Sequence, residues 1–338
     1  TTLHFYDAMQ FYLDSLDNAS QKYLNNKKHY DGKYQDKNFP DKLTFKDIHS
    51  IVKYCEHDCK LTKQLIDIWI DAFYHNFKFH PDKYYSAGYI TAQYFKKQLP
   101  IFPTFTDIPY EVSNIAYKSY FGGHFEQFSR GYHTKVHHYD IKSAYPYAMS
   151  LLPDFLNGKW FKMKNIKQIF SSDAGFFQIK LTVNETQLCP LPVRRLSGLV
   201  IYPTGTFITH CTLDELKSIM NYDIDIKIIS GYIYKSKTHD ETPFNKLIKD
   251  MYTKRMKQKT EAQKYVYKVL INAGYGKFAQ SKPEPRGLFN PVICAYITGK
   301  CRSMLLDAVL DHKNDIIMFA TDAIMSKKKL PVSLGNKL

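Results

Sequence analysis

Two aspartates that each close an apolar run are the residues placed to do chemistry: Asp140 in Tyr139-Asp140-Ile141-Lys142-Ser143-Ala144-Tyr145-Pro146, and Asp322 in Phe319-Ala320-Thr321-Asp322-Ala323. Strand-end carboxylates brought side by side in a sheet would hold Mg2+, with Mn2+ able to substitute. Such hard cations take few protein oxygens and keep places for phosphate oxygens and water. Between the two in sequence, Lys268, Asn272 and Tyr275 fall four and three residues apart. On a helix they share one face, presenting a cation, an amide and an aromatic ring together. The set suits transfer of a nucleotidyl group, in which a hydroxyl attacks an α-phosphate and negative charge grows around phosphorus. Taken singly, each aspartate reads far more readily as an ordinary strand-end carboxylate than as a catalytic one, and Tyr145 before Pro146 as a core aromatic.

The elements that must position these groups alternate along the chain. Apolar residues at helical spacing, among them Ile51, Tyr54, Leu61, Leu65 and Ile68, predict one long helix or two consecutive ones from Phe45 to Phe77. The Lys/Asn/Tyr-rich stretch over 23–41 before them reads as loop. His80-Pro81-Asp82 breaks the pattern, and a second helical stretch runs to about Gln98. Short strand-like runs dominate from Tyr132 to Tyr234, including Phe176 to Val183 and Ile224 to Ile229, with a helix over Leu213 to Asn221. Two helices, Pro243 to Gln258 and Glu261 to Gln280, carry much of the lysine. After a turn marked by Pro283, Pro285 and Gly287 come a helix over Pro291 to Leu310 and the strand Ile316 to Phe319. This is the order of an α+β protein.

Composition narrows the partner. At 338 residues and 44% hydrophobic content, the chain can bury cores in two or three units. Its 47 Lys+Arg against 32 Asp+Glu leave a net charge of +15, interleaved with 27 Tyr and 23 Phe. A polyanion with stackable bases fits that surface, although charge alone fits a lysine-rich surface serving solubility equally well. No apolar run approaches bilayer length and the first residues lack the pattern of a signal peptide, which points to an intracellular protein with no membrane partner. The chain opens on Thr1, within the strand-like run Leu3-His4-Phe5-Tyr6, and reads as part of a longer protein. None of the six cysteines forms a CxxC pair. Cys55 and Cys59 sit one helical turn apart with His57 on another face, so reduced, mostly buried thiols are expected rather than a zinc site.

In their order along the chain, these groups resemble motifs A, B and C of the family B DNA polymerases. Motif A, D-x-x-S-L-Y-P, is matched by Asp140, Ser143, Tyr145 and Pro146, with Ala144 in place of leucine. Motif B, K-x-x-x-N-S-x-Y-G, is matched by Lys268, Asn272, Tyr275 and Gly276, with Ala273 in place of serine. Motif C, D-T-D-S, keeps Thr321 and Asp322, while Ala320 stands where its first aspartate would be. The resemblance implies a palm built on an antiparallel sheet with flanking helices, helical fingers carrying motif B, and a two-metal site on Asp140 and Asp322. It implies that Tyr145 underlies the deoxyribose and rejects a 2′-hydroxyl, and that Lys268, Asn272 and Tyr275 meet the incoming nucleotide. Arg255 and Lys264 would add phosphate contacts, which a solvated basic helix face explains nearly as well.

Tyr120-Phe121-Gly122-Gly123, about twenty residues before Asp140, resembles the Y-x-G-G segment of the protein-primed polymerases of phages, adenoviruses and linear plasmids. It implies DNA contact through Tyr120, Gly122 and Gly123. Tyr54 and Asp58 resemble Y-x-x-x-D, the third motif of the associated RNase H-like 3′–5′ exonuclease. Its first two motifs, D-x-E and N-x-x-D, are not found, so exonuclease activity is not expected of this chain. The implied organisation is a C-terminal helical remnant of the exonuclease domain over 1–80, palm with the Y-x-G-G segment and motif A over 81–150, and palm or insertion over 151–240. Fingers with motif B follow over 241–282 and palm with motif C over 283–338, the thumb being absent. The 128 positions from Asp140 to Lys268 leave room for the insertion that cradles a terminal protein and duplex. The span from motif B to motif C is too short for the family's second insertion. The expectation is a DNA-directed DNA polymerase using DNA template, primer and deoxynucleoside triphosphates, with a terminal protein as an alternative primer, in replication of a viral or linear-plasmid genome. A weakened or inactive nucleic-acid-binding relative on the same scaffold is the alternative. A stand-alone nuclease has only Tyr54 and Asp58 behind it.

Overall fold

The computed structural model of the chain describes residues 4–28, 42–99, 104–185, 188–238, 242–280, 287–309 and 312–332. Along them the helices are α1 (Met9–Tyr12), α2 (Leu16–Leu24), α3 (Phe45–Asp71), α4 (Ala87–Gln98), α5 (Tyr110–Ser119), α6 (Ala144–Ser150), α7 (Leu213–Ile219), α8 (Pro243–Met256), α9 (Glu261–Ala279) and α10 (Pro291–Val309). The strands are β1 (His124–Gln127), β2 (His137–Asp140), β3 (Gly158–Lys162), β4 (Ala174–Val183), β5 (Val193–Arg194), β6 (Val200–Ile201), β7 (Gly205–Thr212), β8 (Asp225–Ser236), β9 (Ile316–Thr321) and β10 (Ala323–Ser326). Two units result, residues 1–97 with 251–273, and residues 98–250 with 274–338.

The described part of the first unit is helical. Thr44 starts α3 with a capping box, its hydroxyl accepting from the Asp47 N–H and the Asp47 carboxylate accepting from the Thr44 N–H. The apolar stripe of α3 buries Leu61, Leu65 and Trp69, and the helix passes into a π-helical turn, Ala72–Phe77, closed by Lys78 at φ 49°. Around Trp69 gather Phe11, Tyr12 and Tyr265, the last stacked on Tyr12 at 5.7 Å and 8°. The Tyr12 hydroxyl donates to the Leu65 carbonyl at 2.6 Å, satisfying a polar tip inside an aromatic core. Residues His4 to Tyr6, within the run expected to be a strand, form none, because no described strand lies in this unit to pair with them.

The second unit is built on two four-stranded antiparallel sheets, in the orders β1-β9-β10-β2 and β3-β8-β4-β7, with a short ribbon of β5 and β6. Strand β4, Ala174–Val183, is central in its sheet and accordingly nearly continuous in apolar residues. Helix α10 is buried along almost its whole length and packs against α5, α6 and α7, which is why its apolar residues run all round rather than on one face. Leu305, Leu306 and Val309 of α10 join Phe177, Ile179 and Leu181 of β4 and Phe319 and Ile324 of β9 and β10 in one core. That shared core fixes the small sheet carrying Asp140. The cysteines are free thiols, with Cys189, Cys211, Cys294 and Cys301 buried and Cys55 and Cys59 of α3 exposed.

Candidate nucleotidyl-transfer site

Asp140 is the last residue of β2 and lies opposite Ala323 of β10, while the Ile141 N–H donates to the Asp322 carbonyl at 3.0 Å. The two aspartates, 182 positions apart in sequence, thus meet at adjacent strand ends. Asp322 sits at the tip of the β9-β10 hairpin, where the chain reverses between paired Ala320 and Ala323. The Asp322 N–H donates to the Ala320 carbonyl at 2.8 Å around Thr321, whose φ is 67°. This is a γ-turn of the rare positive-φ form, a strained conformation for a β-branched residue. Ser143, at φ 54°, starts α6 just after Asp140. Both carboxylates are therefore flanked by backbone held out of its preferred regions.

Burial first, and the neighbouring Asp140 charge second, hold the Asp322 carboxyl above the usual carboxylate range. Asp140 itself is exposed. Two hard oxygen donors that repel one another are a set that a divalent cation would relieve, so the pair fits Mg2+ bound partly through substrate and water oxygens. Among the described residues no group of three or more His, Cys, Asp and Glu side chains could hold a metal ion. Glu126 does not supply a third carboxylate here. Paired residues across the sheet put Asp140, Ala323, Ala320 and Phe125 in one row on one face, and Tyr139, Ile324, Phe319 and Glu126 in the next row on the other, core-facing side. Burial there pushes the Glu126 carboxyl up to about 7. The His124 ring, fully buried and pushed well below its ordinary value by burial, is uncharged, so its 3.0 Å contact with Glu126 is a hydrogen bond rather than an ion pair.

Tyr145 begins α6 beside this pair. Its ring stacks on that of Tyr275 at 4.3 Å and 10°, joining motif A to motif B in a contact that neither motif discloses. Burial raises the phenols of both tyrosines, with the Asp322 charge a lesser cause in each, so both stay protonated and act as rings and donors. On α9, Lys268 and Asn272 are exposed and Tyr275 half-buried, while Val266, Tyr267, Leu270 and Ile271 are buried, giving the helix the expected polar face. Lys268 and Asn272 belong to the first unit and Tyr275 to the second. Arg255 is half-buried near the end of α8, and Lys264 is paired with Glu261 at 2.7 Å on its own helix.

The segment Tyr120-Phe121-Gly122-Gly123 leads from α5 into β1, and its backbone is held by two arginines that sequence reading passed over. Arg302 of α10, fully buried, donates to the carbonyls of Gly122 and Ser119 and meets the equally buried Glu215 at 2.8 Å. Arg194 donates to the Tyr120 carbonyl at 2.5 Å, and both guanidinium groups lie over the Phe121 ring. Glu215 also closes the capping box of α7 with Thr212, so one carboxylate fixes a helix start and a buried cation. In the first unit, Tyr54 and Asp58 share a face of α3 as expected, and Lys28 occupies it, 2.8 Å from Asp58 and 4.7 Å above the Tyr54 ring.

This arrangement of sheet, hairpin and ordered motifs belongs to a known group: the chain is a member of the organellar and viral type B DNA polymerases, whose family pattern matches residues 45–284. It is 26% identical to the DNA polymerase of Acidianus bottle-shaped virus over 364 aligned positions, covering 98% of this chain and 53% of that protein. To a probable DNA polymerase of Neurospora intermedia it is 24% identical, covering 85% of this chain and 34% of that one. The chain thus spans about half of the first relative and a third of the second. Among solved structures its fold is similar to that of Phi29 DNA polymerase in an orthorhombic crystal, with a TM-score of 0.71 and 17% identity over 96% of this chain and 60% of that one. Phi29 DNA polymerase complexed with primer-template DNA and incoming nucleotide substrates is similar at a TM-score of 0.65 and 16% identity.

Proposed function

We propose that the chain carries the synthetic centre of a DNA-directed DNA polymerase, transferring a deoxynucleotidyl group to a primer hydroxyl opposite a DNA template. The observation behind this reading is the meeting of Asp140 and Asp322 at adjacent strand ends, beside the Tyr145–Tyr275 stack. Asp140 and Asp322 would hold Mg2+, which supplies charge stabilisation at the α-phosphate and activation of the attacking hydroxyl. The Tyr145 ring, backed by Tyr275, forms the floor beneath the sugar and leaves no room for a 2′-hydroxyl. Lys268 and Asn272 bind the triphosphate from the polar face of α9, with Arg255 and Lys264 as further phosphate contacts. The Tyr120–Gly123 segment lies along the DNA, its two glycines allowing a phosphate close to the backbone. Similar structures hold primer-template DNA and nucleotides, which supports those partners for this chain.

The Y-x-G-G segment further supports the protein-primed branch, with a terminal protein hydroxyl as an alternative primer and a viral or linear-plasmid genome as the product. Residues before about 80 are read as the helical end of an exonuclease domain. The Lys28–Asp58 ion pair supports a structural role for Asp58 in that remnant.

The test is extension of a labelled primer on a DNA template with Mg2+ or Mn2+, run beside Asp140→Asn and Asp322→Asn. Extension by the parent chain, and its fall to background in both variants with DNA binding kept, is the expected outcome. Binding without extension by a folded parent chain would instead favour the inactive scaffold that Ala320 suggests.

A further inference from the structure

Gly123 stands where a side chain cannot. A methyl carbon on its Cα would lie 2.7 Å from the Thr321 Cγ2, 2.8 Å from the Tyr145 hydroxyl oxygen and 3.1 Å from the Thr321 Cα. Ordinary contact begins near 3.4 Å, so the Tyr145 hydroxyl would have to retreat by about 0.6 Å. Its neighbour Gly122 has a different reason to be glycine, a φ of 82° with open space around it.

The two residues that supply these atoms are held by their surroundings. The Tyr145 ring is buried and backed by the Tyr275 ring at 4.3 Å. Thr321 is locked in the γ-turn that presents Asp322 and is paired with His124 across the sheet. The glycine's own backbone is fastened from behind, through the Arg302 bonds to the Gly122 and Ser119 carbonyls, the Arg194 bond to the Tyr120 carbonyl, and the Glu215 carboxylate that neutralises Arg302.

We propose that Gly123 is a positioning residue for sugar selection: its bare Cα is the stop against which the Tyr145 ring stands, and so sets discrimination between deoxyribo- and ribonucleoside triphosphates. This rests on the reading of Tyr145 as the floor beneath the sugar. It gives the Y-x-G-G segment a second task besides contact with DNA. Steric exclusion rises steeply within a few tenths of an ångström, so a small retreat of the ring opens space for a 2′-hydroxyl.

The test is single-nucleotide insertion on a primed template, comparing kcat/KM for a dNTP with that for the matching rNTP. The ratio is independent of the fraction of active enzyme. Gly123→Ala is expected to lower it at least tenfold, as is Tyr145→Ala. Tyr145→Phe, which vacates the place of the hydroxyl, is expected to lower it less, and Gly123→Ala in a Tyr145→Phe, Thr321→Ser background, which also removes the Thr321 Cγ2, to restore it, the methyl filling the vacated place. A ratio that falls in Tyr145→Ala but stays within twofold of the parent in Gly123→Ala overturns the role of Gly123 alone. A ratio unmoved by Tyr145→Ala overturns the reading of Tyr145 and this inference with it. Should Gly123→Ala not fold by itself, the triple variant with Tyr145→Phe and Thr321→Ser decides: recovery of fold and ratio supports the inference, and failure to recover overturns it.

Discussion

At the scale of single residues, charge placed in a half-buried sheet decides most of what this molecule can do. Ala320 lies in the same cross-strand row as Asp140, so an aspartate there would add a third carboxylate on the face that carries Asp140. Ala320→Asp is expected to lower the Mg2+ concentration for half-maximal primer extension several-fold, a shift read from a metal titration. Glu126, in the core-facing row, has the opposite character. Its carboxyl is pushed up to about 7 from 4.5, so between those values the folded chain holds more protons than the unfolded one and stability falls as pH rises. Glu126→Gln should match the parent below pH 4.5 and exceed it above pH 7 by up to about 3 kcal/mol, measured as denaturation midpoints across pH. The loss of the first motif C aspartate was legible in the sequence. That Glu126 does not replace it was not, because the face a strand residue occupies depends on pairing with β9, nearly two hundred positions away.

At the scale of elements, long helices and their caps were legible because periodicity and capping residues are local. Thr44 with Asp47, and Thr212 with Glu215, are local signals of that kind. The Arg302–Glu215 pair was not, since a buried arginine in an apolar helix gives no sequence sign of which carbonyls it will hold. Its removal should nevertheless dominate the stability of the second unit. Glu215→Gln can keep the helix cap yet leaves Arg302 buried without a counter-charge, and is expected to cost about 3–5 kcal/mol. Thr44→Ala, losing only a cap in the first unit, should cost about 1 kcal/mol. Trp69 lies in the first unit and Trp160 in the second, so denaturant unfolding of single-tryptophan backgrounds separates the two effects. Failure of Glu215→Gln to shift the Trp160 transition would show that the Arg302–Glu215 pair does not clamp the Tyr120–Gly123 backbone.

At the scale of the whole molecule, the net charge of +15 bears on the proposed binding of DNA. Affinity for primer-template DNA is expected to fall log-linearly with salt, about 10^3-fold between 50 and 200 mM if some six phosphates are neutralised. A flat response in a filter-binding titration would contradict a backbone-led interaction. The family was legible from three ordered motifs, whereas the stacking of Tyr145 on Tyr275 was hidden by the 130 positions between them. The distribution of thiols offers a further handle on this molecule. Cys55 and Cys59 stand exposed on α3, while burial pushes the Cys189 thiol up to about 12 and raises Cys211, Cys294 and Cys301 as well. A maleimide dye should therefore label the native chain at two sites on one helix and leave four thiols silent, with no cysteine engineered away. Slow reaction at Cys301, whose thiol feels the charge of Asp322, would then time the opening of the core behind the β9-β10 hairpin.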